Sequence, residues 1–271
     1  MKTIISTILI VLVFISCSKN ETSVRSASDA SNTASSPGET DFSIFLTDDP
    51  GNYDHVFLDI VGAEVHYIDD ENNKWYTFKN FHGGVYDILR FTNGKDTLLA
   101  NNRISAKRIN QVRLILGDDN TVVVDGITYP LTTPSGQKSG IKVNVDITLT
   151  EGVKYEIWTD FDVQKSIVVT GNNEYILKPT YRVYTNAITG SLNGIVQPND
   201  ANAWVYVMSD NHIIASTRPD KETGAFMVNG SNPGSYKVLI DGSNGYQDKK
   251  YKDVAVSIQN VTGTGTTVLH Q

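Results

Sequence analysis

The chain predicts an all-β protein, two β-sandwich domains in tandem behind an exported N-terminus and a flexible tether. Three observations predict it. Beyond Asp41 the apolar residues recur with a period of two, the signature of strands with one wet face. Turn sequences cut these runs at short intervals. The first forty or so residues contain one short apolar stretch and then a polar segment that has too little apolar surface to build a core.

Residues 1–16 read as a signal peptide. Lys2 supplies a positive charge, Ile4 to Ile15 is almost unbroken apolar sequence, and small Ser16 stands before Cys17. The apolar run is about a dozen residues, whereas a membrane-spanning helix needs roughly 20. The ending Phe14-Ile15-Ser16-Cys17 resembles a bacterial lipobox. That resemblance implies a diacylglycerol on the Cys17 thiol, cleavage before Cys17 and acylation of the new amine, so the membrane is an expected partner through the N-terminal lipid. Each buried methylene contributes about 0.8 kcal/mol, and several chains together hold firmly where one holds marginally. Ser18 follows Cys17, which by resemblance to Gram-negative sorting implies the outer membrane, on its periplasmic or cell-surface face. Cys17 is the only cysteine, so its lipidation leaves no thiol for disulfide, redox or zinc chemistry.

Residues 17–40 are expected to be a tether. From Ser18 to Glu39 the chain is rich in Ser, Thr, Asn, Ala and Asp, and a coil of that length spans about 25 Å. The rest is long enough for two cores, since the 271-residue chain is 39% hydrophobic. A net charge of -7 and the lack of any Lys/Arg cluster argue against a nucleic-acid partner.

The first domain is placed at residues 41–186. Phe42, Ile44 and Leu46 alternate with polar residues, as do Val112, Leu114 and Leu116. Val143, Val145, Ile147 and Leu149 alternate with Lys142, Asn144, Asp146 and Thr148. Turns are expected at Asp70 to Asn73, Asn93-Gly94, Asp125-Gly126, Ser135-Gly136 and Gly171-Asn172, and a strand from Tyr175 to Tyr184 closes an antiparallel sandwich. The second domain, 187–271, offers seven short, evenly spaced strands: Leu192 to Val196, Trp204 to Met208, Ile213 to Thr217, Phe226 to Asn229, Tyr236 to Asp241, Val254 to Ile258 and Thr266 to Leu269. That spacing suits a small Greek-key sandwich.

Several motifs occur in order in the first domain: Leu46-Thr47-Asp48-Asp49-Pro50-Gly51, Gly117-Asp118-Asp119-Asn120 with Val122 to Gly126, Tyr129-Pro130-Leu131, Thr133-Pro134-Ser135-Gly136, Asp160-Phe161-Asp162 and Tyr175-Ile176-Leu177-Lys178-Pro179. On these, Asp41 to Thr185 resembles the Bacteroidetes lipoprotein family called domain of unknown function 4382, which implies no particular activity. The second domain resembles the carboxypeptidase-regulatory-like, transthyretin-like sandwiches. Gly190 to Val196, Asp220 to Gly224 with Ala225-Phe226, Asn232 to Val238 and Gly245-Tyr246 carry that likeness. It implies a spacer or accessory module, with glycan binding in some relatives.

Candidate sites are sparse. Asp48, Asp49, Asp118, Asp119, Asp160 and Asp162 are hard oxygen donors of the kind calcium takes, but they lack calcium-loop spacing and read first as turn residues. A pair of them could serve as acid and base in glycoside hydrolysis if held about 5 to 10 Å apart. His55, His66, His82, His212 and His270 show no zinc spacing. Gly83-Gly84 and Gly263 to Gly265 lack the context of a phosphate loop, and no serine stands in a nucleophile motif. No catalytic, metal or cofactor residue is therefore assigned. With Ala203, Val205 and Val207 in the core, Trp204 and Tyr206 share the opposite face and become the candidate glycan-binding pair; Trp75-Tyr76 and Trp158 are weaker candidates. Asp96-Thr97-Leu98 resembles the Bacteroidetes O-glycosylation motif, making Thr97 the acceptor if exposed. The expected function is a non-catalytic binding or structural accessory of the cell envelope, with an envelope or extracellular protein as partner. The alternatives are glycan binding and, third, glycan hydrolysis.

Overall fold

The computed structural model describes residues 39–69, 73–105, 107–134, 140–172 and 174–271. The export segment, Cys17, almost all of the tether, and the turns expected around Asp70 and Ser135-Gly136 lie outside them.

The first fourteen strands are β1 (Thr40–Asp49), β2 (His55–Ile68), β3 (Asn73–Thr77), β4 (Asn80–Phe81), β5 (Gly84–Asp87), β6 (Thr97–Ile104), β7 (Arg108–Leu116), β8 (Thr121–Val124), β9 (Ile127–Thr132), β10 (Ile141–Thr148), β11 (Tyr155–Asp162), β12 (Ile167–Val169), β13 (Tyr175–Leu177) and β14 (Tyr181–Tyr184). One helical turn, α1 (Val163–Ser166), follows β11. A five-stranded sheet, β14-β11-β1-β6-β4, faces a nine-stranded one ordered β10-β7-β2-β8-β9-β13-β12, with β3 and β5 also paired to β2. Between them lies one core containing Ile44, Leu46, Leu58, Ile60, Leu114, Ile157 and Phe161. Burial of each such side chain contributes about 1.5–3 kcal/mol.

The second unit has β15 (Gly190–Gln197), β16 (Trp204–Ser209), β17 (His212–Thr217), β18 (Ala225–Ser231), β19 (Gly234–Asp241), β20 (Lys249–Val256) and β21 (Val261–Val268). They form a three-stranded sheet, β18-β15-β21, and a four-stranded one, β17-β16-β19-β20. A second core, separate from the first, contains Leu192, Val205, Val207, Phe226, Val238 and Ile240.

Alternation in the sequence becomes alternation in burial. Phe42, Ile44 and Leu46 of β1 are buried, and so are Val112, Leu114 and Leu116 of β7. On β10, Lys142, Asn144, Asp146 and Thr148 stay exposed while Ile147 is buried. The Asp125-Gly126 pair has φ of 51° and 75°, the left-handed pair that a two-residue hairpin turn requires. Tyr236 opens the inward row of β19 with Val238 and Ile240.

Four expectations change. The pairing is mixed, because β1–β11, β9–β13 and β15–β21 run parallel. The expected strand Tyr175 to Tyr184 is two strands on different sheets, β13 on the nine-stranded and β14 on the five-stranded one. Pro179 has no N–H to give to a ladder, and at this corner Thr180 N donates to Ser166 Oγ at 2.8 Å while its carbonyl accepts from Asp162 N at 2.9 Å. Strands β20 and β21 start at Lys249 and Val261, ahead of the expected Val254 and Thr266, because their opening residues are Lys, Tyr, Asp, Thr and Gly with little apolar alternation. Asp48 and Asp49, expected in a turn, are the buried last residues of β1.

Candidate functional site

Register partners on neighbouring strands share a face of the sheet, and this aligns two rows across β1, β11 and β14. Phe45 pairs Trp158, which pairs Tyr184; Thr47 pairs Asp160, which pairs Arg182. Both rows stand on the face turned away from the first core. The aromatic row is a stack, with Phe45 and Trp158 centroids 5.2 Å apart and Trp158 and Tyr184 5.7 Å apart. Trp158 Nε1 donates to Asp96 Oδ2 at 2.7 Å.

The polar row reaches across to the second sandwich. Arg182 Nε donates to Asp160 Oδ2 at 2.8 Å, while its Nη1 and Nη2 donate to the carbonyls of Gly230 at 3.0 Å and Asn229 at 2.9 Å on β18. The guanidinium also lies 5.2 Å from the Tyr184 ring centroid. Gly230 has φ of +70°, and a Cβ there would collide with the Tyr184 ring, so this close approach requires glycine. Asp49 accepts from Ser216 Oγ at 2.6 Å and from Ser216 N at 3.0 Å. Asn93 donates to the Arg218 carbonyl and accepts from Thr217 Oγ1, each at 2.7 Å. A seam of charged and amide hydrogen bonds thus joins the sandwiches.

Burial sets the electrostatics of this seam. The Asp49 carboxyl is pushed up to about 7, first by burial and then by the Asp160 carboxylate, against the lowering effect of Ser216. Burial, then Asp160, Asp49, Asp162 and Asp87, holds Asp48 well above the usual carboxylate range. Among the described residues, both Asp48 oxygens lack a hydrogen-bond partner. Asp160 is raised by burial, partly offset by Arg182. Shifted carboxylates often mark active sites, but the space lined by these three is about 20 Å³, room for about one water. No sugar ring enters it.

The other expected residues are scattered. Asp118 and Asp119 are exposed in a turn closed by buried Asn120, whose Oδ1 accepts from Asp59 N at 2.9 Å and whose Nδ2 donates to Gly117 O at 2.8 Å. Asp162 caps α1 by accepting from Lys165 N. Asp160 is the ion-pair partner of Arg182 rather than a turn residue. Among the described residues, no group of three or more His, Cys, Asp or Glu is arranged to hold a metal. His55 Nδ1 pairs Asp87 Oδ2 at 2.8 Å, and His66 Nδ1 pairs Asn110 Oδ1 at 2.7 Å. Gly84 opens β5, and Gly263 and Gly265 lie inside β21.

Trp204 and Tyr206 are half-buried on the outer face of β16, with Ala203, Val205 and Val207 buried beneath. Their rings stack on each other, 5.9 Å apart and 9° from parallel, and the Arg218 guanidinium lies 4.7 Å from the Trp204 centroid. Trp75 carries the Arg113 guanidinium 4.3 Å from its centroid, Tyr76 packs edge-on to Phe78 at 5.5 Å, and Trp158 is buried in the seam. Thr97 is half-buried as the first residue of β6, and Asp96 beside it is held by Trp158. Arg182, Ser216 and Asn229, which build the seam, had no local signal, because each partner lies tens of residues away in the chain.

Beside the seam runs a larger groove of about 420 Å³. It is bordered by Asn144 to Ile147 of β10, by Arg182 to Thr185 at the end of β14, by Ile188 of the connection, and by Ile214 and Tyr236 of the second sandwich.

No curated protein matches the chain. Among solved structures, the Bacillus anthracis TIE protein superposes at a TM-score of 0.24 and 8% identity, over 86% of this chain and 34% of that one. This chain thus spans about a third of that protein's length. The minor pilin GBS52 of Streptococcus agalactiae gives a TM-score of 0.22 at 9% identity, over 84% of this chain and 95% of the pilin. The shaft pilin spaA of Lactobacillus rhamnosus GG gives 0.22 at 7% identity, over 86% and 97%. Overlays this far apart transfer nothing of what those proteins do. The sequence match is of another kind, because it covers residues 39–179 continuously, just over half of the chain. This chain belongs to the family described as Domain of unknown function (DUF4382).

Proposed function

We propose that this protein is a non-catalytic binding and structural accessory of the cell envelope, held to the outer membrane by a lipid on Cys17. The observation that carries the reading is the seam. The most strongly shifted carboxyls, Asp48 and Asp49, lie with Asp160 where the sandwiches meet, around a space too small for a substrate. In an enzyme such groups would line an open cleft; here Asp49, bonded to Ser216, and Asp160, through Arg182, fasten two sandwiches into one body that can carry a binding surface. Capture of a defined envelope or extracellular protein by the full chain, with no release of reducing sugar from a glycan panel, is the expected result. Turnover of any glycan by pure protein would overturn it. For the anchor, Cys17→Ala should abolish palmitate labelling and release the protein from membranes, and retained labelling would refute lipid attachment at this residue.

A second reading, glycan binding, is favoured by the half-exposed Trp204–Tyr206 stack with Arg218 beside it. Aromatic rings beside a guanidinium offer a sugar apolar contact together with hydrogen-bond donors. Glycan-array signal that disappears in the Trp204→Ala, Tyr206→Ala double variant would establish it, and an array left blank by the parent protein would dismiss it.

A further inference from the structure

Arg218 is a half-buried cation without an acid. It follows β17, whose last residue Thr217 pairs Val205 of β16, and its guanidinium lies over the Trp204 ring. A guanidinium carries five N–H donors. Those of Arg218 make one long bond within the protein, from Nη1 to Asn52 Oδ1 at 3.4 Å. Nε is buried with no partner among the described residues, and Nη2 makes no bond and reaches the surface. The nearby acids are engaged elsewhere. Asp220 accepts from Glu222 N and from Thr223 N and Oγ1 in its own turn, and Asp49 accepts from Ser216. Asp241 pairs Trp204 from β19, on the side of β16 away from β17, and its carboxyl is raised by burial and then by Asp248. Burial accordingly lowers Arg218, with Tyr206 acting the other way and no carboxylate contributing.

We infer that the Trp204–Tyr206 site binds an acidic glycan, whose sugar carboxylate accepts from the terminal nitrogens of Arg218 while the sugar ring lies against the two aromatics. Taking a cation partly out of water without a counter-ion costs free energy. The indole recovers part of that cost through its π face, but it covers the flat side of the guanidinium and leaves the in-plane donors unused. A carboxylate matches those donors, because its two oxygens can span two guanidinium nitrogens in one plane. A neutral sugar would offer only hydroxyl acceptors, whose bonds are about half as strong. A small anion alone would leave the stacked rings without an apolar partner. A sugar that carries a carboxylate meets both demands. The protein has a net charge of -7, so the attraction for such a ligand is local to Arg218 rather than a property of the whole surface. The inference rests on the glycan reading and names the class of glycan that reading leaves open.

The test is a glycan array probed with the full chain, on which uronate and sialate oligosaccharides are each printed as the free acid and as the methyl ester, beside neutral glycans. Acid members should bind and their esters should bind about tenfold or more weakly, since a charge-assisted pair becomes a contact with a neutral acceptor while the ring and its hydroxyls are kept. Arg218→Gln should bind acid and ester alike. Should that variant misfold, Arg218→Lys decides, because it keeps the cation and the aliphatic stem but not the planar fork. It should show a smaller preference for the acid, and an undiminished one would overturn pairing with two guanidinium nitrogens. Acid and ester bound equally by the parent protein, or an acid preference that survives in Arg218→Gln, would overturn the inference. Neutral glycans that bind through Trp204 and Tyr206 while the acids do not would sink this inference alone, whereas an array blank in every member would remove the glycan reading as well.

Discussion

Arg182 is the residue on which the joint between the sandwiches turns. Its guanidinium neutralises Asp160, lies over Tyr184 and reaches two carbonyls of the other sandwich. Arg182→Ala leaves Asp160, 6% exposed, without its counter-ion, and removing one partner of a buried pair costs about 3–5 kcal/mol. Because the Arg182 side chain keeps 32% of its surface exposed, the expected loss in urea denaturation is nearer about 2–3 kcal/mol. Arg182→Lys should recover less than half of that, since an ammonium cannot span the same three acceptors. Asp49 gives the joint a pH dependence. Its carboxyl moves from an ordinary value of 3.8 to about 7 in the fold, so between those values the folded state holds a proton that the unfolded chain has released. Stability from this group is complete below about pH 4 and falls as pH rises towards about 7; Asp48 shifts in the same direction. The melting temperature should therefore be higher near pH 5 than near pH 8. Asp49→Asn should flatten part of that slope while keeping the seam, because Ser216 Oγ can accept from the amide as readily as it donates to the carboxylate. An unchanged slope would assign the effect to other carboxyls.

At the scale of elements, what was legible in the sequence was whatever a short window contains. The inward rows of β1, β7, β10 and β19, and the glycine turn at Asp125-Gly126, are local patterns with local causes. Pairing direction and sheet membership are not local. Within Tyr175 to Tyr184 the local signal against one long strand is Pro179, which has no N–H for a ladder, but which sheet each half joins is fixed only by the corner held by Ser166 and Asp162 around Thr180. The candidate site was hidden for the same reason. Asp48 and Asp49 have the composition of a turn, Asp-Asp-Pro-Gly, yet parallel pairing with β11 extends β1 through Asp49 and carries both carboxyls indoors. Gly230 shows how tightly two elements meet there, with left-handed backbone and the Tyr184 ring against its Cα. Gly230→Ala combines backbone strain with overpacking, each of which costs about 1–3 kcal/mol. Amide exchange should show the loss concentrated in β14 and β18, and a uniform loss across both sandwiches would mean that the close contact is not what Gly230 serves.

For the whole molecule the question is whether two cores behave as one. The cores are separate, so each sandwich has its own hydrophobic reason to fold, and independent unfolding is the default for tandem domains. Against that stand the Arg182 bridge, the Asp49–Ser216 pair and the Asn93 bonds, which are buried or half-buried and cost free energy if they open unpartnered. Several bonds of about 1 kcal/mol each, with charged ones stronger, add up to a coupling of a few kcal/mol, a sizeable share of a domain's stability of about 5–15 kcal/mol. The transitions should therefore coincide. The tryptophans report this directly, because Trp158 lies in the first sandwich and Trp204 in the second. Single-tryptophan proteins, with the other indoles changed to Phe, should give superimposable urea curves near pH 5. Raising the pH to about 8 ionises Asp49, set at about 7, beside Asp160, and weakens the seam from within, as does Arg182→Ala. Either change should separate the two curves, with the smaller second sandwich unfolding first because it buries the smaller core. Separate curves already at pH 5 would mean that the seam aligns the sandwiches without coupling them, whereas curves that coincide under all three conditions would place the coupling in contacts other than Arg182 and Asp49.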